Sequence, residues 1–289
     1  METVFTYEQM GTFWKVTIYE SLSLSVEETL EQEIKNRLVD FDNLYSRFKK
    51  TSLVYELSQK VGVVEVPSDL INILRLYKQM YVVSQKKFTP CVGALMEDIG
   101  YDAEYSLVAK KDMRAVPDFE KAVCIIDDTH IELHESVLLD IGAIGKGYCV
   151  DLISSYLRSL GYAEFLVDGS GDIFYESKEG VIQAGLEHPH DVTKVVGVVP
   201  MKRGAMCSSA TNRRAWGEYS HYIDPTTKDS PHMISATWVL ADTAALADGL
   251  SSLLFFVAPE SLHAFSFEYC IMNHEHKIKK SPGFPATFF

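Results

Sequence analysis

The segment Leu138–Phe174 constrains the fold more than any other part of the chain. A short apolar run ends at Asp140 and is followed by a turn of small residues that contains Lys146. Gly161 is placed to end the helix that follows in a left-handed conformation, and Phe165–Val167 predicts a buried strand. Within that helix, apolar residues recur at the three- and four-residue spacing of one helix face, namely Val150, Ile153, Leu157 and Leu160.

The turn itself, GAIGKG, has two interpretations. Glycines let the backbone come close to a ligand, and the following helix offers unpaired N–H groups and a positive dipole end that suit phosphate. Lys146 adds a full positive charge at the same place. The turn matches neither the dinucleotide pattern G-x-G-x-x-G nor the P-loop pattern G-x-x-x-x-G-K-S/T. A tight strand-to-helix turn without a ligand therefore remains the alternative to a phosphate site.

The composition excludes several classes of protein. A chain of 289 residues that is 47% hydrophobic can bury a sizeable core, and we expect residues 1–289 to form one domain. A net charge of −13 without a basic block argues against sequence-independent binding to nucleic acid and to anionic membranes. Five scattered cysteines indicate reduced thiols. The N-terminus lacks a signal-peptide pattern, so we expect a cytoplasmic protein, with an exported form trimmed of its leader as the alternative.

Several ordered segments between Met10 and Ser252 resemble the ApbE family of FAD:protein FMN transferases. LLDIGAIGKGYCVD is similar to the family's LDLG(G/A)IAKGYAVD segment, and the GSGDI that follows is similar to its GGDI turn. FTPCVG resembles F-D-P-T-V-G, and the SSA of residues 208–210 resembles T-S-G. SHYIDPTT resembles H-I-I-D-P-x-T, and ADGLSS resembles A-D-A-L-(A/D)-T. Thr89, Ala210 and Ser252 depart from these patterns. The resemblance implies an α+β fold of antiparallel sheets and packed helices, related to T-fold domains.

A candidate metal site lies near the end of the matched region. Asp248, Ser251 and Ser252 share one face of a predicted helix, because they stand three and four residues apart. Their oxygens suit Mg²⁺, although small residues in that place also let two helices pack closely. The resemblance implies that Asp248, Ser252 and the backbone carbonyl of Ala143 hold Mg²⁺, with Ser251 in a ligand position that varies in the family.

The resemblance also implies a reaction and the residues that carry it. A threonine or serine hydroxyl of a client protein attacks the phosphorus of the FMN moiety of FAD, and AMP leaves. His221 titrates near neutrality and suits a general base, with Asp224 to orient or assist it; which of the two is the base stays open. Contacts to FAD are implied for Asp140 and Lys146. By motif position, further flavin or adenine neighbours are Met10, Phe48, Phe88, Tyr222 and Ile223.

Two other functions fit the same residues. One is an FAD pyrophosphatase, in which water replaces the client hydroxyl. The other is a flavin-binding protein without catalytic activity, which the departures from the family patterns would suit.

Local patterns add expectations that a structure can test. Ser25–Glu28 reads as a capping box, Asp242 as the cap of the late helix, and residues 260–269 as a helix that precedes a strand.

Overall fold

A computed structural model describes residues 2–289, with the backbone alone for residue 213, so that Met1 of the predicted domain lies outside the described residues. The helices are α1 (Leu24–Tyr45), α2 (Leu53–Leu57), α3 (Ser68–Val83), α4 (Gly93–Asp98), α5 (Phe119–Ala122), α6 (Gly142–Ser159) and α7 (Ala244–Leu253). The strands are β1 (Thr3–Gln9), β2 (Thr12–Ile18), β3 (Gly62–Glu65), β4 (Val123–Ile125), β5 (His130–Leu133), β6 (Phe165–Asp168), β7 (Ile173–Glu176), β8 (Ile182–His188), β9 (Asp191–Met201), β10 (Gly204–Ala210), β11 (Ala215–Trp216), β12 (Tyr219–Ser220), β13 (Ile234–Ala241), β14 (Glu268–Asn273), β15 (Ile278–Lys280) and β16 (Thr287–Phe288).

An eight-stranded antiparallel sheet forms the centre of the molecule, with the strand order β1-β2-β6-β7-β10-β13-β14-β15. Smaller antiparallel sheets have the orders β16-β9-β8, β3-β5-β4 and β11-β12. Successive residues of a strand point to opposite faces, and β10 shows this directly. Cys207 packs in the core on the helical face, whereas Met206 packs in a second core on the other face.

Amphipathic helices cover the first face of the central sheet. Leu38 of α1, Leu74 of α3 and Ile153 of α6 are fully buried there, together with the inward residues of β2 and β6. The second face is covered by the sheet β16-β9-β8, where Leu186 and Val199 pack against Trp238. The predicted α+β fold of antiparallel sheets and packed helices is therefore confirmed. Among the described residues, no helix combines the length and apolarity needed to cross a bilayer.

The central segment differs from its prediction at both ends of the helix. α6 begins at Gly142, so the predicted turn of small residues is the first part of the helix itself. Leu160 lies at the C-cap and is 51% exposed, whereas the other three residues of the predicted stripe are buried. Gly161 has a φ of +92°, as expected for a left-handed helix end.

Three local predictions were wrong. α1 is preceded by Ser23 as the N-cap, and no side-chain cap bond forms there. The N-cap of α7 is Thr243, one residue after Asp242, and its hydroxyl accepts the N–H of Leu246. The segment 260–269 forms no α-helix: the short 3₁₀ helix Pro259–Ser261 and a loop precede β14. Leu262 is buried in the core, and Phe265 and Phe267 pack partly against it.

Candidate functional site

One cavity of about 780 Å³ lies where α6, α7, β8 and β10 meet. Its charged and polar wall includes Lys87, Asp140, Lys146, Asp168, Ser209, Arg214, His221, Asp248 and Ser252. Its apolar wall includes Phe88, Met206, Tyr222, Ile223 and Trp238. A wall that combines cations, buried oxygen atoms and apolar side chains suits an amphipathic ligand that carries phosphate.

The contact of α6 with α7 builds the part of the cavity wall that contains Lys146 and Asp248. A methyl group on Gly147 would overlap the carbonyl oxygen of Ala244, so only glycine lets the two helices come this close. The N–H of Gly147 donates to Oδ2 of Asp248 at 2.9 Å. In return, Asp151 accepts the N–H groups of Ala244 and Ala245 at 2.8 Å each. Gly147 and Ala244 therefore allow close packing of the two helices, and this packing brings Asp248 to the start of α6.

Asp248 is a buried carboxylate at the wall of the cavity. It is 3% exposed, and burial raises its pKa while the charge of Lys146 opposes that rise. Ser252 and Ala143 line the same cavity. A carboxylate, a hydroxyl and a carbonyl are hard oxygen donors of the kind that Mg²⁺ takes from proteins. The residues present therefore fit a divalent cation.

Ser251 stands behind this wall rather than at it. Its hydroxyl donates to the carbonyl of Asp248 at 2.8 Å and lies 2.8 Å from the hydroxyl of Ser209, and the side chain is fully buried. These contacts engage the hydroxyl that we predicted as a metal ligand, and that role stays a prediction. Ser209 lines the cavity and lies 3.3 Å from the hydroxyl of Ser252. It stands in a segment that resembles the family's T-S-G, which was the available signal for a site residue.

Lys146 projects from the first part of α6 into the cavity and forms an ion pair with the fully buried Asp172. The second carboxylate oxygen of Asp172 is buried and has no hydrogen-bond partner among the described residues. Asp172 is thus a counter-ion that holds the Lys146 ammonium in place. The position of Lys146 beside Asp248 is compatible with its predicted role at a diphosphate.

Asp140 is held by its neighbours at both carboxylate oxygens. Oδ2 accepts a hydrogen bond from Nε of Arg47 at 2.6 Å, and Oδ1 accepts the N–H of Gly142 at 2.8 Å. The Arg47 side chain is only 3% exposed. Asp140 lines the cavity, so its predicted contact with FAD remains a prediction. No local sequence pattern indicates Arg47 as a site residue, because its partner Asp140 is far away in the sequence.

His221 lies in the cavity with its ring against that of Tyr222, at 4.0 Å between centroids. The backbone carbonyl of Arg214 accepts from the N–H of His221 at 3.1 Å and lies 3.4 Å from its Nδ1. A carbonyl can only accept, so this contact favours the tautomer with the proton on Nδ1 and the basic lone pair on Nε2. Burial, and then the charge of Arg214, lower the pKa of His221 to about 4. The imidazole is therefore neutral at pH 7, and a pKa near 4 makes it a weaker base than an ordinary histidine.

The hydrogen bonds of the Asp224 side chain lie within its own turn rather than at His221. Its Oδ1 accepts the N–H of Thr226 at 2.8 Å, and its Oδ2 lies 3.5 Å from Nζ of Lys87. The carbonyl of Asp224 also accepts the N–H of Lys228 at 2.8 Å. The carboxylate of Asp224 therefore contacts Lys87 and the turn that follows His221, and its predicted role of orienting or assisting His221 stays a prediction.

The residues predicted by motif position divide into two groups. Phe88, Tyr222 and Ile223 line the cavity. Met10 instead has a φ of +54° at the turn after β1 and packs against the main core. Phe48 stacks on Tyr105 at 5.5 Å and lines a separate cavity of about 270 Å³. The structure does not bring Met10 and Phe48 to the wall of the main cavity, although Gly11 beside Met10 does line it.

Fold and site together define an α+β protein with one cleft that charged, polar and apolar side chains line. The chain belongs to the ApbE family, whose model matches residues 10–269. A relative from Haemophilus influenzae named FAD:protein FMN transferase is 25% identical over 278 residues, which cover 87% of this chain and 79% of the relative. A relative of the same name from Vibrio cholerae is 24% identical over 273 residues, covering 87% and 80%.

Solved structures show the same fold. The crystal structure of the ApbE protein from Thermotoga maritima superposes with a TM-score of 0.86 at 18% identity, covering 98% of each chain. The flavin transferase ApbE from Vibrio cholerae superposes with a TM-score of 0.80 at 19% identity, again covering 98% of each chain. The resemblance found in the sequence is therefore confirmed.

Proposed function

We propose that this protein transfers FMN from FAD to the hydroxyl of a threonine or serine in a client protein, in a Mg²⁺-dependent reaction that releases AMP. Membership of the ApbE family and the names of its relatives support flavin transfer as the class of reaction. One observation carries the finer proposal. Asp248, Lys146 and His221 line a single cavity although they lie far apart in the sequence.

The transfer replaces the phosphoanhydride bond of FAD with a phosphoester bond to the client. The client hydroxyl oxygen bonds to the phosphorus of the FMN moiety, the bond from that phosphorus to the bridging oxygen breaks, and AMP leaves with that oxygen. The hydroxyl proton passes to Nε2 of His221, which is the basic nitrogen of its tautomer. Phosphoryl transfer depends mostly on positioning and on charge neutralisation, and a general base contributes about 10²–10⁴-fold.

The residues of the cavity have separate tasks in this reaction. Asp248, Ser252 and the carbonyl of Ala143 would hold Mg²⁺, which when bound neutralises phosphate charge. Lys146 and Arg214 add positive charge at the same cavity, and Asp172 fixes the position of Lys146. Met206 and Trp238 give the cavity an apolar wall, which limits the access of water that would otherwise compete with the client hydroxyl.

The test uses purified protein, FAD, Mg²⁺ and a degenerate peptide library with a central threonine. We expect covalently flavinylated peptide and an equal amount of AMP from the wild type. Asp248→Asn keeps an acceptor for the N–H of Gly147 but loses the charge, so it should abolish labelling. His221→Ala should bind FAD and label at a rate about 10²–10⁴-fold lower.

Two results would contradict the proposal. Rapid release of FMN and AMP without any acceptor peptide, unchanged when peptide is added, would identify an FAD pyrophosphatase. FAD that stays bound and intact, with binding unchanged in Asp248→Asn, would identify a flavin-binding protein without catalytic activity.

A further inference from the structure

The strand β8 meets the cavity along its edge rather than with one face. Successive residues of a strand point to opposite faces, so a cavity that touched one face would contact every second residue. Four consecutive residues, Ile182, Gln183, Ala184 and Gly185, all line this cavity. β8 is also the last strand in the order β16-β9-β8. One wall of the cavity therefore consists of the backbone at a sheet edge.

The pairing of β8 with β9 fixes which backbone groups point into the cavity. Gln183 stands opposite Pro200, which has no N–H to donate, so this pair is not hydrogen-bonded across the ladder. The pairing of β9 with β16 on its other side is consistent with this alternation, since the carbonyl of Val196 accepts the N–H of Phe289. Alternate residues of β9, including Val198 opposite Gly185, therefore bond towards β16. The N–H and C=O groups of Gln183 and Gly185 consequently point outward from β8.

We propose that this edge of β8 binds an extended segment of the acceptor protein as an added antiparallel or parallel strand, an inference that rests on the function proposed above. Backbone groups that repeat every second residue match another strand. Gln183 and Gly185 are both exposed, so a segment can reach them from solvent. From Ile182 to Leu186 the strand has none of the prolines or lysines that commonly protect sheet edges.

The proposed docking edge and the proposed catalytic residues share one cavity. The edge of β8 lines the cavity that also contains Lys146, Asp248 and His221. A segment that pairs with the edge can therefore place a hydroxyl in the cavity with the backbone alone, while every second side chain faces the site. Backbone pairing requires an unfolded or loop-like acceptor segment, because a threonine within a helix has no free N–H groups to offer.

The first experiment removes one outward N–H group. Gln183→Pro deletes that donor, and proline is tolerated at an edge whose N–H faces outward. Gln183→Ala keeps the N–H and measures the contribution of the side chain. We expect Gln183→Pro to lower kcat/KM for a labelled library peptide about tenfold relative to Gln183→Ala, with the same Kd for FAD and the same circular dichroism spectrum. Equal loss of FAD affinity would show that the edge holds flavin and overturn the proposal.

The second experiment places the change in the peptide, so the fold of the protein is untouched. Single amides of a labelled peptide are N-methylated one at a time. Strand pairing predicts that labelling is lost at every second position and retained at the positions between, which serve as matched controls. Loss without this period of two would overturn the docking mode while leaving flavin transfer intact. Failure of the wild type to label any peptide would overturn the proposed function itself, and the docking of an acceptor with it.

Discussion

At the scale of single residues, the protonation of His221 depends on its surroundings more than on its own chemistry. Burial disfavours the imidazolium, and the positive charge of Arg214 disfavours it further, so its pKa falls to about 4. Removing the Arg214 charge stabilises the protonated form and must raise the pKa. Burial is the larger cause and stays in place, so we expect Arg214→Gln to move the pKa upward but to keep it below the ordinary value of about 6.5.

Histidine NMR measures this prediction without reference to catalysis. The Cε1 signal that disappears in His221→Ala identifies the ring, and its titration gives the pKa in each variant. Arg203→Gln, at an exposed arginine paired with Glu176, serves as the control and should leave the titration unchanged. If Arg214→Gln left the pKa at about 4, the charge of Arg214 would not act on the ring, and burial alone would explain the shift.

Sequence reasoning found the site residues that repeat a local pattern and missed those that act across the fold. Asp248 and Ser252 share a helix face, and the helix predicted for them is present in the structure. Arg47 meets the site through its contact with Asp140, and Ser209 lines the cavity beside the hydroxyl of Ser252, which comes from a distant part of the sequence. Such contacts depend on how elements pack, which periodicity does not encode.

At the scale of elements, the junction of α6 and α7 depends on one glycine. An added Cβ at Gly147 would overlap the backbone carbonyl of Ala244, which cannot rotate away. We expect Gly147→Ala to destabilise the protein by about 1–3 kcal/mol, as overpacking does. At Gly145 the nearest atom to an added Cβ is a side-chain carbon of Ile141 at 3.4 Å. Gly145→Ala should therefore be neutral or gain up to about 1 kcal/mol of helix propensity.

Urea unfolding of the two alanine variants measures both free energies of unfolding. The pair is matched, because each variant adds the same methyl group to the same helix two residues apart. Equal destabilisation by Gly145→Ala and Gly147→Ala would mean that the start of α6 tolerates an added methyl group at neither position. The contact between Gly147 and Ala244 would then have no special part in the stability of the junction.

The start of α6 shows why element boundaries were the weakest part of the sequence prediction. Gly142, Gly145 and Gly147 look like a turn, because glycine disfavours helix interiors by about 1 kcal/mol. In the folded protein that cost is offset by the packing of α7, whose Asp248 accepts the N–H of Gly147. The stripe of α3, by contrast, was predictable, since Leu70, Ile73, Leu74, Tyr77 and Tyr81 are all buried. Its helical face needs only a generic apolar partner, whereas the glycines need one particular neighbour.

At the scale of the whole molecule, the two faces of the central sheet supply different parts of the site. The helices on the first face supply Lys146 and Asp248 to the cavity wall. The other face supports the sheet β16-β9-β8, whose edge forms another part of the cavity wall. The position of that wall depends on the second core, in which Phe284 near the C-terminus packs with Trp238 and Leu186.

Phe284 gives a test of this division. It is 1% exposed, and Phe284→Ala should cost about 3–5 kcal/mol through lost burial and a cavity in the second core. The loss should concentrate in β8 and β9, so hydrogen exchange there should accelerate while α6 and α7 stay protected. Phe289 is 83% exposed, and Phe289→Ala should change stability by less than about 0.5 kcal/mol. Equal acceleration of exchange in α6 and α7 would contradict the division, because it would show that both faces of the sheet unfold as one cooperative unit.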